Sequence, residues 1–376
     1  MQTIITMSDG TDKIIPFFES LGYKKALLVV GESGKKLEIC KRIFESFKNI
    51  EVFSDFHPNP ESASVINGIR LLREKRCTLI IALGGGSAID VAKSIKICAG
   101  VDELDDFINR SPSPVEGIEM IAIPTTAGTG SESTHFSVIY HHGEKYSLSC
   151  KEGLPEYVIL DPNTLESLSA YQRKSSMADA LCHAVESYWS INSNERSKIL
   201  SGKAIGIICH NYKSYLNNNP VGNERMLAAA NIAGQAINLT KTTAVHAMSY
   251  KLTSLYGIAH GNAVGILLPK VWRYMLEHTE NCVDARGTEY FVNSMGEIAK
   301  AFECDTPEQA LEKYEKILHD LDFEPIFLRE DGEIKQLVKS VNIERLKNNP
   351  VSMNGEVIES IYTQLLKTRK GKNESR

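Results

Sequence analysis

The chain has 376 residues, of which 42% are apolar and 24% charged, and a net charge of −5. That length exceeds what one hydrophobic core comfortably serves, so two domains are expected in a soluble globular protein of ordinary composition. The acidic balance, the lack of a basic stripe laced with aromatics and the lack of an 18-residue apolar run argue against nucleic acid and membrane as partners.

The first ten residues lack the basic region and cleavage site of a secretion signal, so a cytoplasmic protein is expected. Ala26–Val30 reads as a buried strand, closed by Gly31 and followed by a helical stretch near 35–47. Glu51–Phe53 is a short second strand, and Pro58 and Pro60 break the chain before a helix near 62–75. Thr78–Leu83 is the clearest strand, and Gly84-Gly85-Gly86-Ser87 follows it directly. Met120–Ile123 is another, stopped by Pro124. Phe136–Tyr140 and Lys145–Ser149 alternate around His142-Gly143, which reads as a hairpin added to the same sheet. Val158–Leu160 closes the series. Strands alternating with helices predict an α/β nucleotide-binding domain over 1–162, built on a doubly wound parallel sheet. From 163 to 376 strand runs vanish, and helical periodicity over 175–191, 196–215, 224–237 and 243–255 predicts a helical domain. The eight cysteines form no Cys-x-x-Cys pair and read as reduced, mostly core, residues. The tail from Lys367 to Arg376 is charged, has no apolar face, and reads as frayed.

Three stretches carry chemistry. At 84–90 a strand gives way to glycines and then a helix near Ser87. Ser87 and Asp90 are spaced as a cap and its reciprocal third residue, and glycine turns of this kind let a backbone approach a pyrophosphate. Pro124–Glu132 also leaves a strand end and is rich in Thr, Ser and Gly, a composition that suits a polar ligand. In the helical half, Asp179 and His183 stand four residues apart on one helix face, and His246 and His260 follow. One carboxylate and three imidazoles suit a borderline divalent cation, Fe2+ or Zn2+. Singly, such an Asp–His pair is also an ordinary surface interaction. His57, His135, His141, His142, His210 and His278 have no such company and read as bonded or exposed histidines.

These motifs, in this order, resemble the iron-dependent (group III) alcohol dehydrogenases from about residue 20 to 275. The resemblance implies a dinucleotide-binding domain, a helical metal domain and a site in the cleft between them. It implies Asp179, His183, His246 and His260 as metal ligands, and Gly84, Gly85, Gly86 and Ser87 with Asp90 at the pyrophosphate loop. Thr125, Thr126, Thr129 and Ser131 would line the cofactor, and Lys145 falls where the family often has a cofactor-contacting lysine. Gly31 and Ser33, without an aspartate after the first strand, imply that NADPH is accepted as well as NADH.

Two positions depart from the family pattern. Tyr250 stands where many members carry a second histidine, and its phenol could donate a proton or only shape the pocket. Lys241-Thr242-Thr243 replaces a glycine-rich run and reads as an oxyanion cradle at a helix start, or as a threonine cap with a solvated lysine. With Thr134–Tyr140, this segment looks like the phosphonoacetaldehyde reductase branch, which reduces 2-phosphonoacetaldehyde to 2-hydroxyethylphosphonate. The expected activity is metal-dependent, NAD(P)H-linked aldehyde reduction on a small, anionic substrate by a homo-oligomer. The rivals are a glycerol dehydrogenase-like polyol enzyme, a dehydroquinate synthase-related lyase and a nucleotide-binding scaffold without chemistry.

Overall fold

The computed structural model describes residues 2–7, 14–22, 25–101, 114–142 and 144–367; all of the frayed-tail segment but Lys367 lies outside the described residues. The chain forms two compact units, Met1–Ser169 with Asn211–Asn238, and Ala170–His210 with Leu239–Arg376.

In the first unit, β1 (Thr3–Thr6), β2 (Ala26–Val30), β3 (Ile50–Phe53), β4 (Leu79–Gly84) and β5 (Glu119–Pro124) join a later strand, Tyr157–Leu160, in one six-stranded sheet. Every neighbouring pair in it is parallel. Both faces are buried, which explains the unbroken apolar runs. Leu27 and Val29 enter one core with Ile80 and Ala82, while Ala26, Leu28 and Val30 enter the other with Leu79, Ile81 and Leu83. From β2 the chain steps outward to β3, then returns past β2 to β4 and β5. This reversal makes a switch point between β2 and β4, where open α/β sheets bind ligands at the carboxyl ends of their strands. The Gly31 loop and the glycine turn leave the sheet at that point. The loop after Pro124 starts beside them, since Pro124 pairs with Gly84.

Two local expectations need correction. The hairpin strands β6 (Phe136–His141) and β7 (Glu144–Ser149) pair only with each other, as a separate antiparallel ribbon. The expected closing strand is present as β8 (Tyr157–Leu160), set between β5 and β1. The helix after the glycine turn starts at Gly86 with Gly85 as its cap residue, and no side chain caps it. Asp90 accepts instead from the Ser131 hydroxyl and from the Val138 amide at 3.0 Å. The sequence also gave no sign of β1, a mostly exposed Thr/Ile edge strand, or of the helix Ile14–Ser20.

A boundary near residue 163 divides two consecutive stretches, whereas these compact units interleave. Within the helix Pro220–Thr240, residues through Asn238 belong to the α/β unit. Gly234 lets that helix touch the Gly130 backbone: a Cβ on residue 234 would stand 2.6 Å from the Gly130 carbonyl oxygen. Gly130 itself has φ +60. Nearby, the Asn231 amide donates to Ser133 Oγ at 2.6 Å and to Glu132 Oε1 at 3.2 Å.

Among the described residues the second unit is helical. Its helix Ala170–Trp189 is buried on every side from Met177 onward, polar residues included, and is therefore the central element. It packs against the helix His260–Glu277, where Trp189 meets Trp272 edge-on with ring centroids 5.7 Å apart. Among the described residues no helix is long and apolar enough to cross a membrane, and all eight cysteines are free thiols.

Because backbone rather than a flexible side-chain tip opposes the added methyl, Gly234→Ala should destabilise the protein by about 1–3 kcal/mol. Urea denaturation followed by circular dichroism checks this, and an unchanged midpoint would show that the Gly130 loop yields freely.

Candidate metal centre and cofactor loops

In the helical unit, Asp179, His183 and Glu186 follow one another along one face of the central helix. His246 comes from the first turn of the helix Ala244–Tyr256, and His260 opens the helix His260–Glu277. Gly261 makes that last placement possible. A Cβ there would lie 1.8 Å from the Ser175 carbonyl oxygen and 3.0 Å from the Asp179 Cβ, so only glycine lets the two helices close up.

The result is a compact donor set. One ligand atom each from Asp179, His246 and His260 lies within 4.8 Å of the other two. The Asp179 Oδ1 stands 3.5 Å from His246 Nε2, 3.7 Å from His183 Nε2 and 3.9 Å from His260 Nε2. The His183 ring stacks on that of His246, centroids 4.6 Å apart at 19°. Asp179 Oδ1 and His246 Nε2 are both buried, and neither has a hydrogen-bond partner. Two orphaned polar atoms facing one another are costly unless a cation joins them, and a carboxylate with imidazole nitrogens suits iron or zinc.

The electrostatics agree. Burial alone would raise the Asp179 pKa, but the charges of His183, His260 and His246 hold it well below the usual carboxylate range. Burial would likewise strip a proton from His246, yet Glu186 and Asp179 hold its pKa up to about 9. Glu186, fully buried, bonds His246 Nδ1 through Oε2. Its Oε1 accepts from the Thr243 amide at 2.9 Å, the Thr243 hydroxyl at 2.7 Å and the Val245 amide at 3.1 Å. The carboxylate fixes the imidazole so that Nε2 faces Asp179, the role of an outer carboxylate behind a metal-bound histidine. Sequence reasoning passed over Glu186, although positions 179, 183 and 186 share one helical face.

Glu186 also changes the reading of the Lys241–Thr243 segment. The amides and hydroxyl that a free helix start would offer to an oxyanion are already engaged, and Thr243 Oγ1 further accepts from the Trp189 indole at 2.9 Å. Thr242 is buried and accepts from Arg345 at 2.9 Å through its hydroxyl and from Asn348 at 3.2 Å through its carbonyl. Lys241, in the left-handed region at φ 60, turns the chain between two helices with its side chain exposed. The Tyr250 ring lies parallel to that of His260, centroids 5.9 Å apart at 9°.

In the α/β unit, Gly85, Gly86 and Ser87 are partly exposed at the start of their helix, whereas Gly84 is buried against Ala88. Side chains of Thr126 and Thr129 approach Gly85 and Gly86 so closely that a Cβ would stand 3.3 and 3.0 Å from them. Thr125 is held by its amide on the Gly84 carbonyl at 3.0 Å. Thr125, Thr126 and Thr129 are partly exposed, while Ser131 is buried against Asp90. Lys93, a fully buried cation missed in the sequence, organises this loop. It donates to the Ser131 carbonyl at 2.8 Å, to Thr134 Oγ1 at 3.0 Å and to the Phe136 carbonyl. Burial pulls its pKa down to about 8 against the pull of Asp90 and Glu132. After β2, Gly31 is partly exposed and Ser33 exposed, and Glu32 turns to solvent to pair with Lys35 at 2.6 Å. Lys145 sits on the hairpin opposite Tyr140.

Residues 2–162 match the iron-containing alcohol dehydrogenase family, and residues 174–366 match the C-terminal part of the Fe-containing alcohol dehydrogenase family. The chain belongs to this family. Its members are NAD(P)-dependent oxidoreductases that act on CH–OH groups, and iron and NAD(P) are the family's cofactors. An aldehyde-alcohol dehydrogenase 2 of Entamoeba histolytica is 30% identical over 310 residues, or 78% of this chain, which spans 36% of that longer protein. A phosphonoacetaldehyde reductase of Streptomyces viridochromogenes is 28% identical over 344 residues, 87% of this chain and 86% of that protein. The solved sulfoacetaldehyde reductase of Bifidobacterium kashiwanohense, in complex with NAD+, superposes with a TM-score of 0.85 at 26% identity, covering 97% of this chain and 96% of that one.

Glu186→Gln keeps the size of the side chain but removes the charge behind His246. Iron affinity should fall by roughly 10–100-fold, as is typical for outer-shell partners of a metal ligand. Competition with a chelator, read by metal analysis, measures it; wild-type affinity in a folded variant would dismiss the role given to Glu186.

Proposed function

We propose that this protein is an iron-dependent aldehyde reductase for small anionic aldehydes, with 2-phosphonoacetaldehyde reduced to 2-hydroxyethylphosphonate as the reaction. The observation that carries the chemistry is the pair of orphaned buried donors, Asp179 Oδ1 and His246 Nε2. Asp179, His183, His246 and His260 would hold the metal. Bound iron supplies a Lewis acid and bound NAD(P)H a hydride, so that aldehyde, NAD(P)H and a proton give alcohol and NAD(P)+.

The protein's own groups prepare this step. Glu186 keeps the His246 Nε2 aimed at Asp179, and Gly261 keeps His260 close. The exposed amides at Gly85, Gly86 and Ser87 would receive the pyrophosphate, with Thr125, Thr126 and Thr129 around it. Gly31, Ser33 and the outward Glu32 leave room for a 2′-phosphate, and Lys36 stands exposed nearby in the chain, which supports use of NADPH. The anionic substrate is supported by two relatives, one named for phosphonoacetaldehyde and one for sulfoacetaldehyde. Each of those aldehydes carries an acid group on the carbon next to the carbonyl. Tyr250, stacked on His260, would shape the pocket without being an essential acid, since water can protonate the alkoxide.

The deciding assay is a panel of phosphonoacetaldehyde, sulfoacetaldehyde and propanal with each nicotinamide cofactor. Phosphonoacetaldehyde should have the highest kcat/KM, and equal or better use of propanal would make this a dehydrogenase of neutral alcohols. NADPH should support turnover at least as well as NADH, and a strong preference for NADH would contradict the reading of the Gly31 loop.

Tyr250→Phe should lower kcat by about tenfold or less, whereas loss of a true general acid typically costs about a hundredfold or more. A loss of the larger size with iron retained would make Tyr250 the proton donor.

A further inference from the structure

We propose that Arg345 reads the substrate's anionic group, held in place by Thr242 and set beside the metal ligands by Tyr250. This deepens the reading above and rests on it. Arg345 is half-buried, and among the described residues it forms no ion pair. The acid next to it, Glu344, is taken by Lys347 at 2.7 Å, and Glu186 is fully engaged by His246 and the helix start. A guanidinium partly withdrawn from water without a carboxylate is a standing cost, relieved when an anion arrives.

Both ends of the residue are fixed before that happens. Its backbone amide donates to the Asn342 side chain at 3.1 Å, and its Nη1 donates to Thr242 Oγ1 at 2.9 Å. Thr242 is in turn buried and tied to Asn348 at 3.2 Å. The guanidinium carbon stands 5.7 Å from the centre of the Tyr250 ring, and that ring lies parallel to the ring of His260. Tyr250 therefore links the cation to a metal-ligand histidine through two ring contacts. An aldehyde with its acid group on the adjacent carbon would set its carbonyl at the metal ligands and its anion toward the guanidinium.

The chemistry of the fork fits a phosphonate or sulfonate. Guanidinium offers parallel N–H groups to two oxygens of one tetrahedral anion, and Thr242 occupies only one of its donors. Lys241, exposed and adjacent to Thr242, adds positive charge at the same corner. A neutral aldehyde gives this guanidinium nothing, so the site discriminates through a charge-assisted contact that only the acid-bearing aldehyde makes.

Iron-loaded wild type, Arg345→Gln and Arg345→Lys are compared on phosphonoacetaldehyde and propanal, with binding of 2-hydroxyethylphosphonate to the NAD(P)+ complex followed by calorimetry. In Arg345→Gln the ratio of kcat/KM for phosphonoacetaldehyde over propanal should fall roughly 10–100-fold, chiefly through KM, and the product should bind more weakly by a similar factor. Arg345→Lys should recover part of both, because it keeps the charge and loses the fork. If wild type prefers phosphonoacetaldehyde and Arg345→Gln keeps that ratio, Arg345 is not the reader while the proposed substrate stands. If wild type shows no preference, the substrate reading fails and this proposal with it. If both substrates fall equally in Arg345→Gln with iron retained, and lysine restores neither, the residue only supports its neighbours and the proposal is overturned.

Discussion

The carboxylate of Glu186, buried between the central helix and the start of the helix Ala244–Tyr256, bears two loads at once. One oxygen gathers the backbone donors that begin the helix Ala244–Tyr256, and the other grips His246 Nδ1. A helix start leaves several amides without partners, and a buried anion aimed at them satisfies those donors and the positive end of the dipole together. The same contact leaves Nε2 of His246 facing Asp179 Oδ1. The helix and its ligand are thereby fastened at one point. Asp179 and His183, on the same face of the central helix, meet His246 in the geometry that this point dictates.

The Asp179–His183 pair and the sheet were readable because both rest on short-range periodicity, whereas His246 and His260 could be joined to them only through the order of motifs. Asp179 and His183 share a helix face by spacing alone, and strands β2 and β4, with residues 120–123 of β5, are apolar because each feeds two cores. What stayed hidden depends on partners distant in the chain. An anion cradle at Thr242 and Thr243 is a sound inference from a helix start, yet a carboxylate some sixty positions earlier already fills it. Ser87 and Asp90 have capping-box spacing, but Asp90 is claimed by Ser131 and Val138. The hairpin has the alternation of a sheet strand, and alternation does not say which sheet. β1 offers no apolar run at all, being mostly exposed at an edge.

The stretch from Gly84 to Lys93 divides its labour. Its first half is open backbone facing the Thr126 and Thr129 side chains, suited to a ligand. Its second half faces inward: Asp90 and Lys93 fasten the loop that carries Ser131, Thr134 and Phe136. One short motif thus supplies both an open turn and the groups that anchor the neighbouring loop.

The contact between Gly130 and Gly234 bears on how relatives of this chain can be recombined. A single crossover near residue 165 transplants the whole parallel sheet but leaves behind the stretch 211–238, which belongs to the same compact unit. The transplanted Gly130 loop then meets a foreign helix, where any residue but glycine at position 234 strikes its backbone. The Asn231 amide that serves Glu132 and Ser133 is exchanged at the same stroke. A chimera built on this chain should therefore take both segments, 1–169 and 211–238, from one parent.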